Sequence, residues 1–290
     1  MATIYTLESA GLRAEVSDFG AELVRLQDGE GRDLLWDGNP DFWTGRAPLL
    51  FPIVGKMAND HLKLGDSTYP IRQHGIARIS PFELVAASGE RCELLLRANS
   101  ETQKAYPFNF ALDVIYSLEG NALTIEASAM NHDNRVLPVS FGFHPAFRWP
   151  LPDGGAREDH AITFEQAEPA PVRRLAGGLM DPEPKPSPID GDRLPLRDDL
   201  FAADALILDQ PASRSVIYGG SAGAKLRVSF PDMPQLGLWS KPGAGFVCIE
   251  PWYGYASPAG FDGDINDKPG MAHIPPGGAA GFAMKIELVD

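Results

Sequence analysis

Three short stretches of this 290-residue chain set titratable side chains where strand alternation would otherwise put small or apolar ones. In 136–144, VLPVSFGFH, the residues Leu137, Val139, Phe141 and Phe143 share one face, and Pro138, Ser140, Gly142 and His144 the other. Small side chains leading to an imidazole suit a shallow floor on which a ligand lies, or simply a strand-end histidine bonded to a loop. In 245–252, GFVCIEPW, Glu250 shares its face with Phe246, Cys248 and Trp252, while Val247 and Ile249 take the other. An ionised carboxylate among aromatics is costly unless it is paired or used, and raised basicity is what a general base needs. Pro251 predicts the end of that strand and a place at the sheet rim for Glu250. In 73–78, QHGIAR, Gly75 allows a tight turn beside His74, which could donate to a ligand hydroxyl or cap the turn. Arg46 and Arg78 could bind a ligand oxygen or offset surplus acid.

The remaining histidines, His61, His132, His160 and His273, stand in turns, loops or strand ends. None is spaced as His-x-His or His-x-x-Glu-His, and no Cys-x-x-Cys occurs, so no metal site and no cofactor are expected. The glycine-rich 219–223 and 275–281 lack the lysine of a phosphate-binding loop and read as hairpin turns.

The elements that must position these groups are strands. Leu123, Ile125, Ala127 and Ala129 alternate with Thr124, Glu126 and Ser128, and 112–118 alternates likewise across Glu119-Gly120-Asn121, which predicts an antiparallel hairpin. Phe282, Met284, Ile286 and Leu288 repeat the pattern, and further strands are expected at 12–17, 22–27, 92–98, 161–165, 205–209, 214–218, 224–230, 236–240 and 246–250. Helical periodicity is weak, with at most a short turn at 199–204, and 152–160 and 167–198 read as loops. Close-set strands without helical crossovers predict an all-β fold, a large antiparallel β-sandwich, and unbroken patterning predicts a single domain over 1–290.

Composition bounds the function. Hydrophobic residues at 44% and charged ones at 22% give a chain able to build a core. A balance of 25 basic against 39 acidic residues, net −14, repels a phosphate backbone and argues against nucleic acid. The longest nearly apolar run, Ala47 to Gly55, is short of the roughly 18 residues a membrane helix needs. No basic start with an apolar block opens the chain, and two cysteines make no disulfide framework. The expectation is a soluble cytoplasmic protein, monomer or homodimer, whose partner is a small molecule rather than a nucleic acid or a membrane.

Four blocks in order, FPIVGK at 51–56, QHGIAR at 73–78, SFGFHPAF at 140–147 and IEPWYGY at 249–255, resemble the aldose 1-epimerase (mutarotase) family, and within it the divergent bacterial LacX-like branch. The resemblance spans about residues 10 to 289. It implies a galactose mutarotase-like β-sandwich whose concave face binds a small-molecule sugar, and interconversion of its α and β anomers. By that resemblance His144 is the general acid and Glu250 the general base, His74 contacts the sugar, and Asp204 in FAADALIL holds its hydroxyls. Trp252 or Trp43 could stack on the sugar's apolar face. Gly55-Lys56 and Asn59-Asp60 stand where galactose-type members carry arginines, and Gly142-Phe143-His144-Pro145 replaces an Asn-His-Ser-Tyr pattern. A hexose-6-phosphate mutarotase using Arg46, Arg78 or Lys56, a glycoside hydrolase using Asp204 and Glu250, and a non-catalytic sugar-binding module are the competing readings.

Overall fold

A computed structural model describes residues 2–289. Nine antiparallel strands make the larger sheet, in the order 193–195, 161–164, 215–219, 225–229, 279–289, 122–131, 110–119, 91–97 and 83–87. A second sheet runs Leu206–Leu208, Gln235–Trp239, Phe246–Tyr253, Phe141–Phe143 and Leu49–Leu50, with Ala146–Arg148 also paired to Phe246–Tyr253. Ile4–Glu8, Leu12–Ser17 and Leu23–Asp28 form a third, three-stranded sheet. The fold is an all-β antiparallel sandwich, and its helical turns are 3-10 segments of three or four residues. No helix among the described residues is long and apolar enough to cross a membrane.

The alternation explains the layers. Val247 and Ile249 face the main core with Phe141, Phe143 and Phe147, while Phe246, Cys248 and Trp252 face outward into two smaller apolar clusters. Aromatic rings join the layers: Phe141 stacks on Phe282 of the larger sheet at 4.8 Å, and Phe147 lies 6.4 Å from Tyr218. The expected hairpin forms, with Leu123 opposite Leu118 and Ala122 opposite Glu119, and Gly120 takes a left-handed φ of 59° in its turn.

Three expectations are corrected. The 136–144 run is two strands: Leu137–Val139 pairs with Ala272–Ile274, and Phe141–Phe143 with the second sheet. Ser140 marks the break, its N–H donating to the Pro52 carbonyl and its hydroxyl to Met271 Sδ. Pro251 does not end its strand, which continues to Tyr253 at the centre of the sheet. Ile249 N–H donates toward Pro145, so Pro251, two residues on, faces the same edge. There the chain passes from Phe141–Phe143 to Ala146–Arg148, and no ladder bond is lost. The proline-rich 167–198 is not wholly irregular: Leu175–Ala176 pairs with Leu179–Met180, and Arg193–Pro195 edges the larger sheet.

Candidate active site

The outward face of the second sheet carries a cavity of about 370 Å³, within the range of small-molecule sites. Its floor is Trp252. A Cβ on Gly142 would stand 2.8 Å from Cδ1 of that indole, and one on Gly237 would stand 2.5 Å from its Cη2. These glycines lie on the two strands flanking Phe246–Tyr253, so their missing side chains form the bed in which the ring lies.

Glu250 rises from this floor, 1% exposed, and His144 stands 7% exposed at the end of Phe141–Phe143. Imidazole Nε2 is 3.2 Å from Glu250 Oε2. Among the described residues Oε2, His144 Nδ1 and Trp252 Nε1 are buried with no hydrogen-bond partner. Buried polar atoms gathered in one place call for a partner, and a water or a ligand would serve. Burial pushes the Glu250 carboxyl well above the usual carboxylate range, opposed by the Trp252 indole and helped by the Asp204 charge. Burial first, then His74 and Arg78, push the His144 imidazole well below its usual range. Both displacements disfavour charge and favour a neutral carboxyl beside a neutral imidazole.

His74 reaches the cavity from a left-handed backbone, φ 66°, which costs a non-glycine residue on the order of 1 kcal/mol. Paired bonds to Gly55 hold it: His74 N–H donates to the Gly55 carbonyl at 2.8 Å, and Gly55 N–H to His74 Nδ1 at 3.2 Å. With Nδ1 an acceptor, the neutral ring carries its hydrogen on Nε2. Burial and the Arg78 charge push His74 down to about 3, so it is neutral at physiological pH. FPIVGK and QHGIAR thus meet through backbone, with Phe51 also accepting from Ile76 N–H.

Asp204, at a φ of 68°, lines the rim and accepts from Ala205 N–H. Arg78 also lines the cavity and makes no hydrogen bond or ion pair among the described residues. Arg46 is the residue the structure does not bring in. Its Nε donates to the Asp37 carbonyl and its N–H to Glu22, on a separate surface with Trp36 and Asp37. Lys56 likewise leans to Asp60, 3.5 Å away. Trp43, Trp239, Gln73 and Leu175 complete the wall. Trp239 was legible, since alternation along 235–239 sets Gln235, Gly237 and Trp239 on one face. Leu175 was not, lying in a stretch without period.

Cys248 is the one further candidate ligand. Its sulfur and one atom each of His144 and Glu250 lie within 4.8 Å of one another. Zinc bonds of about 2.0–2.3 Å set tetrahedral ligand atoms roughly 3.3–3.8 Å apart, so the trio would have to close. Burial and then Glu250 push the thiol far up, away from the thiolate a metal takes. The cluster is built better for moving protons than for holding an ion.

Comparison with known proteins supplies a family. The family model described as aldose 1-epimerase matches residues 3–269. The chain belongs to the aldose 1-epimerase family. Among relatives of this family, the plasmid-borne protein LacX of Lactococcus lactis is 31% identical over 281 residues, 93% of this chain and 94% of LacX. A galactose mutarotase related enzyme from Lactobacillus acidophilus superposes with a TM-score of 0.91 at 32% identity, over 99% of this chain and 98% of that one. A galactose mutarotase-like protein from Lactobacillus casei gives 0.91 at 31% identity, over 99% and 100%. The family supports a mutarotase-type, carbohydrate-epimerising function.

Proposed function

We propose that this epimerase-family protein is an aldose 1-epimerase that interconverts the α and β anomers of a free hexose. The observation that carries the reading is the buried His144–Glu250 pair, 3.2 Å apart, with its unsatisfied atoms in a sugar-sized cavity. Glu250, as carboxylate, takes the proton of the C1 hydroxyl while His144, as imidazolium, gives one to the ring oxygen. The C1–O5 bond breaks to the open aldehyde. Rotation about C1–C2 and reclosure with the reverse proton flow yields the other anomer. A neutral pair and the reactive ion pair hold the same single proton, so passing between them needs none from bulk water. Each transfer contributes roughly 10²–10⁴-fold. Trp252 would offer an apolar face to the ring, and His74, Arg78 and Asp204, which line the same cavity, would meet the hydroxyls.

A free sugar suits the charge better than a sugar phosphate. Of the three cations the sequence offers a phosphate, Arg46 and Lys56 are committed elsewhere, and Arg78 shares the cavity with two carboxyl groups.

Polarimetry on fresh α-anomers of a hexose panel, with the 6-phosphates alongside, tests the proposal. Wild type is expected to speed the approach to equilibrium, and Glu250→Gln and His144→Asn to lose 10²–10⁴-fold each, the range of one lost proton transfer. Sugar binding without any acceleration would identify a binding module, and new reducing ends from glycosides a hydrolase.

A further inference from the structure

A histidine that handles protons is normally aimed by a hydrogen bond to its second nitrogen. His144 lacks one: Nδ1 is buried and without a partner among the described residues. Its ring is instead boxed by π systems. Trp43 stacks on it at 4.9 Å and 29° between planes, while Trp239 and His74 present near-perpendicular rings at 5.9 and 5.7 Å. Trp43 is itself fixed. Its N–H donates to the Asn39 carbonyl, its carbonyl accepts from Trp36 Nε1, and its ring packs at 5.6 Å on Phe246. The strap 38–46 that carries it is tied down where Arg46 and Ala47 N–H both donate to Glu22.

We propose that Trp43 is the positioning residue for His144, its indole face setting the imidazole plane and stabilising the ring when it is protonated. This rests on His144 being the general acid. A cation within about 6 Å of an indole centroid is attracted by the ring quadrupole, most strongly where water is excluded. The titratable and charged groups facing His144 are Glu250 and Cys248 from its own sheet, and His74 and Arg78 from the 73–78 turn. None of the four stacks on the imidazole. With an apolar side chain kept at 43 to exclude water, losing the indole takes away an attraction that favours the imidazolium over the neutral ring, and the pH above which the acid is lost falls.

The test compares wild type with Trp43→Leu and Trp43→Phe in anomerisation across pH. Trp43→Leu is expected to move the alkaline limb of kcat down by about 0.5–1.5 pH units, from the usual size of a cation–π contact. Its kcat should fall about tenfold or more through loss of ring alignment, while KM changes less. Trp43→Phe, which keeps an aromatic face, should restore most of both. Trp43 is half-buried on a strap outside the main core, so these variants leave the sandwich intact. An unmoved alkaline limb in Trp43→Leu, with the loss confined to KM, would reduce Trp43 to a wall of the sugar site and overturn the proposal. So would a phenylalanine variant as impaired as the leucine one. A second readout needs no turnover: in the NMR spectrum of the ligand-free protein, the His144 ring proton should carry the upfield ring-current displacement of a stacked indole. Trp43→Leu should abolish it, and its absence in wild type refutes the stacking even if no sugar is ever turned over.

Discussion

Replacing Gly237 by alanine tests how tightly the cavity floor is specified. Gly237 lies opposite Glu250 in the strand register, and an added Cβ would stand 2.5 Å from Cη2 of Trp252, where ordinary contact starts at 3.4 Å. The indole would have to retreat by the difference, about 0.9 Å. Its way out is upward, into the cavity whose floor it forms. Its other end already lies close over Gly142, and Leu50, Val54, Met180 and Ile207 pack around it. Overpacking of this kind costs about 1–3 kcal/mol. A shift of about 1 Å beside the reacting groups is worth on the order of 10²-fold in rate. Urea midpoints and polarimetric kcat measure the two effects. Gly281→Ala is the internal control: it lies in the strand Ala279–Val289, and an added Cβ meets nothing within 4 Å. That variant should be unchanged or up to about 1 kcal/mol more stable. If Gly237→Ala kept both the wild-type midpoint and the wild-type rate, the description of the floor as a fitted bed would be wrong.

Two further outcomes follow from charges inside and outside the cavity. Lys268, 2% exposed, donates to the carbonyls of Tyr255 and Pro269, and burial pushes its ammonium down to about 7. Unfolded lysine stays protonated to about pH 10.4, so above pH 7 the unfolded state binds the extra proton and stability rises with pH. Measured against Lys268→Met by urea unfolding, wild type should gain roughly 1.4 kcal/mol per unit between about pH 7 and pH 10, and a flat difference would contradict the burial cost. Arg78→Ala should raise KM for the sugar about tenfold, the size of one hydrogen bond to a charged group, whereas Arg46→Ala should leave kcat/KM within about twofold. Equal effects from the two arginines would mean that the cavity boundary is misplaced.

Much of this was legible because strand period and chemistry coincide. The face shared by Phe246, Cys248, Glu250 and Trp252 is read straight from alternation, as is the step from Gly142 to His144, although Pro138 and Ser140 belong to another strand and to the break before it. Short motifs did the rest, pairing Glu250 with a histidine about a hundred residues earlier. What stayed hidden depends on partners distant in sequence. That Pro251 can sit inside a central strand follows only from the neighbouring chain changing strands at its edge. That Arg46 points away follows from the strap's bonds to Glu22 and Asp37, which no local pattern encodes. His160 shows the same limit: placed in a loop by its neighbours, it is fully buried, its ring accepting from Leu151 N–H and bonded to the Ala156 carbonyl.

The passage from Phe141–Phe143 to Ala146–Arg148 sets His144 beside Glu250 on a frame of adjoining strands. The frame is main chain, cross-linked from behind by the sandwich. Much of the cavity wall belongs to outlying segments: the strap 38–46, the turn 73–78 and the short hairpin around Leu175. One of them, the strap, also carries the Trp43 ring stacked on His144, so rebuilding the wall there would change the surroundings of the imidazole as well.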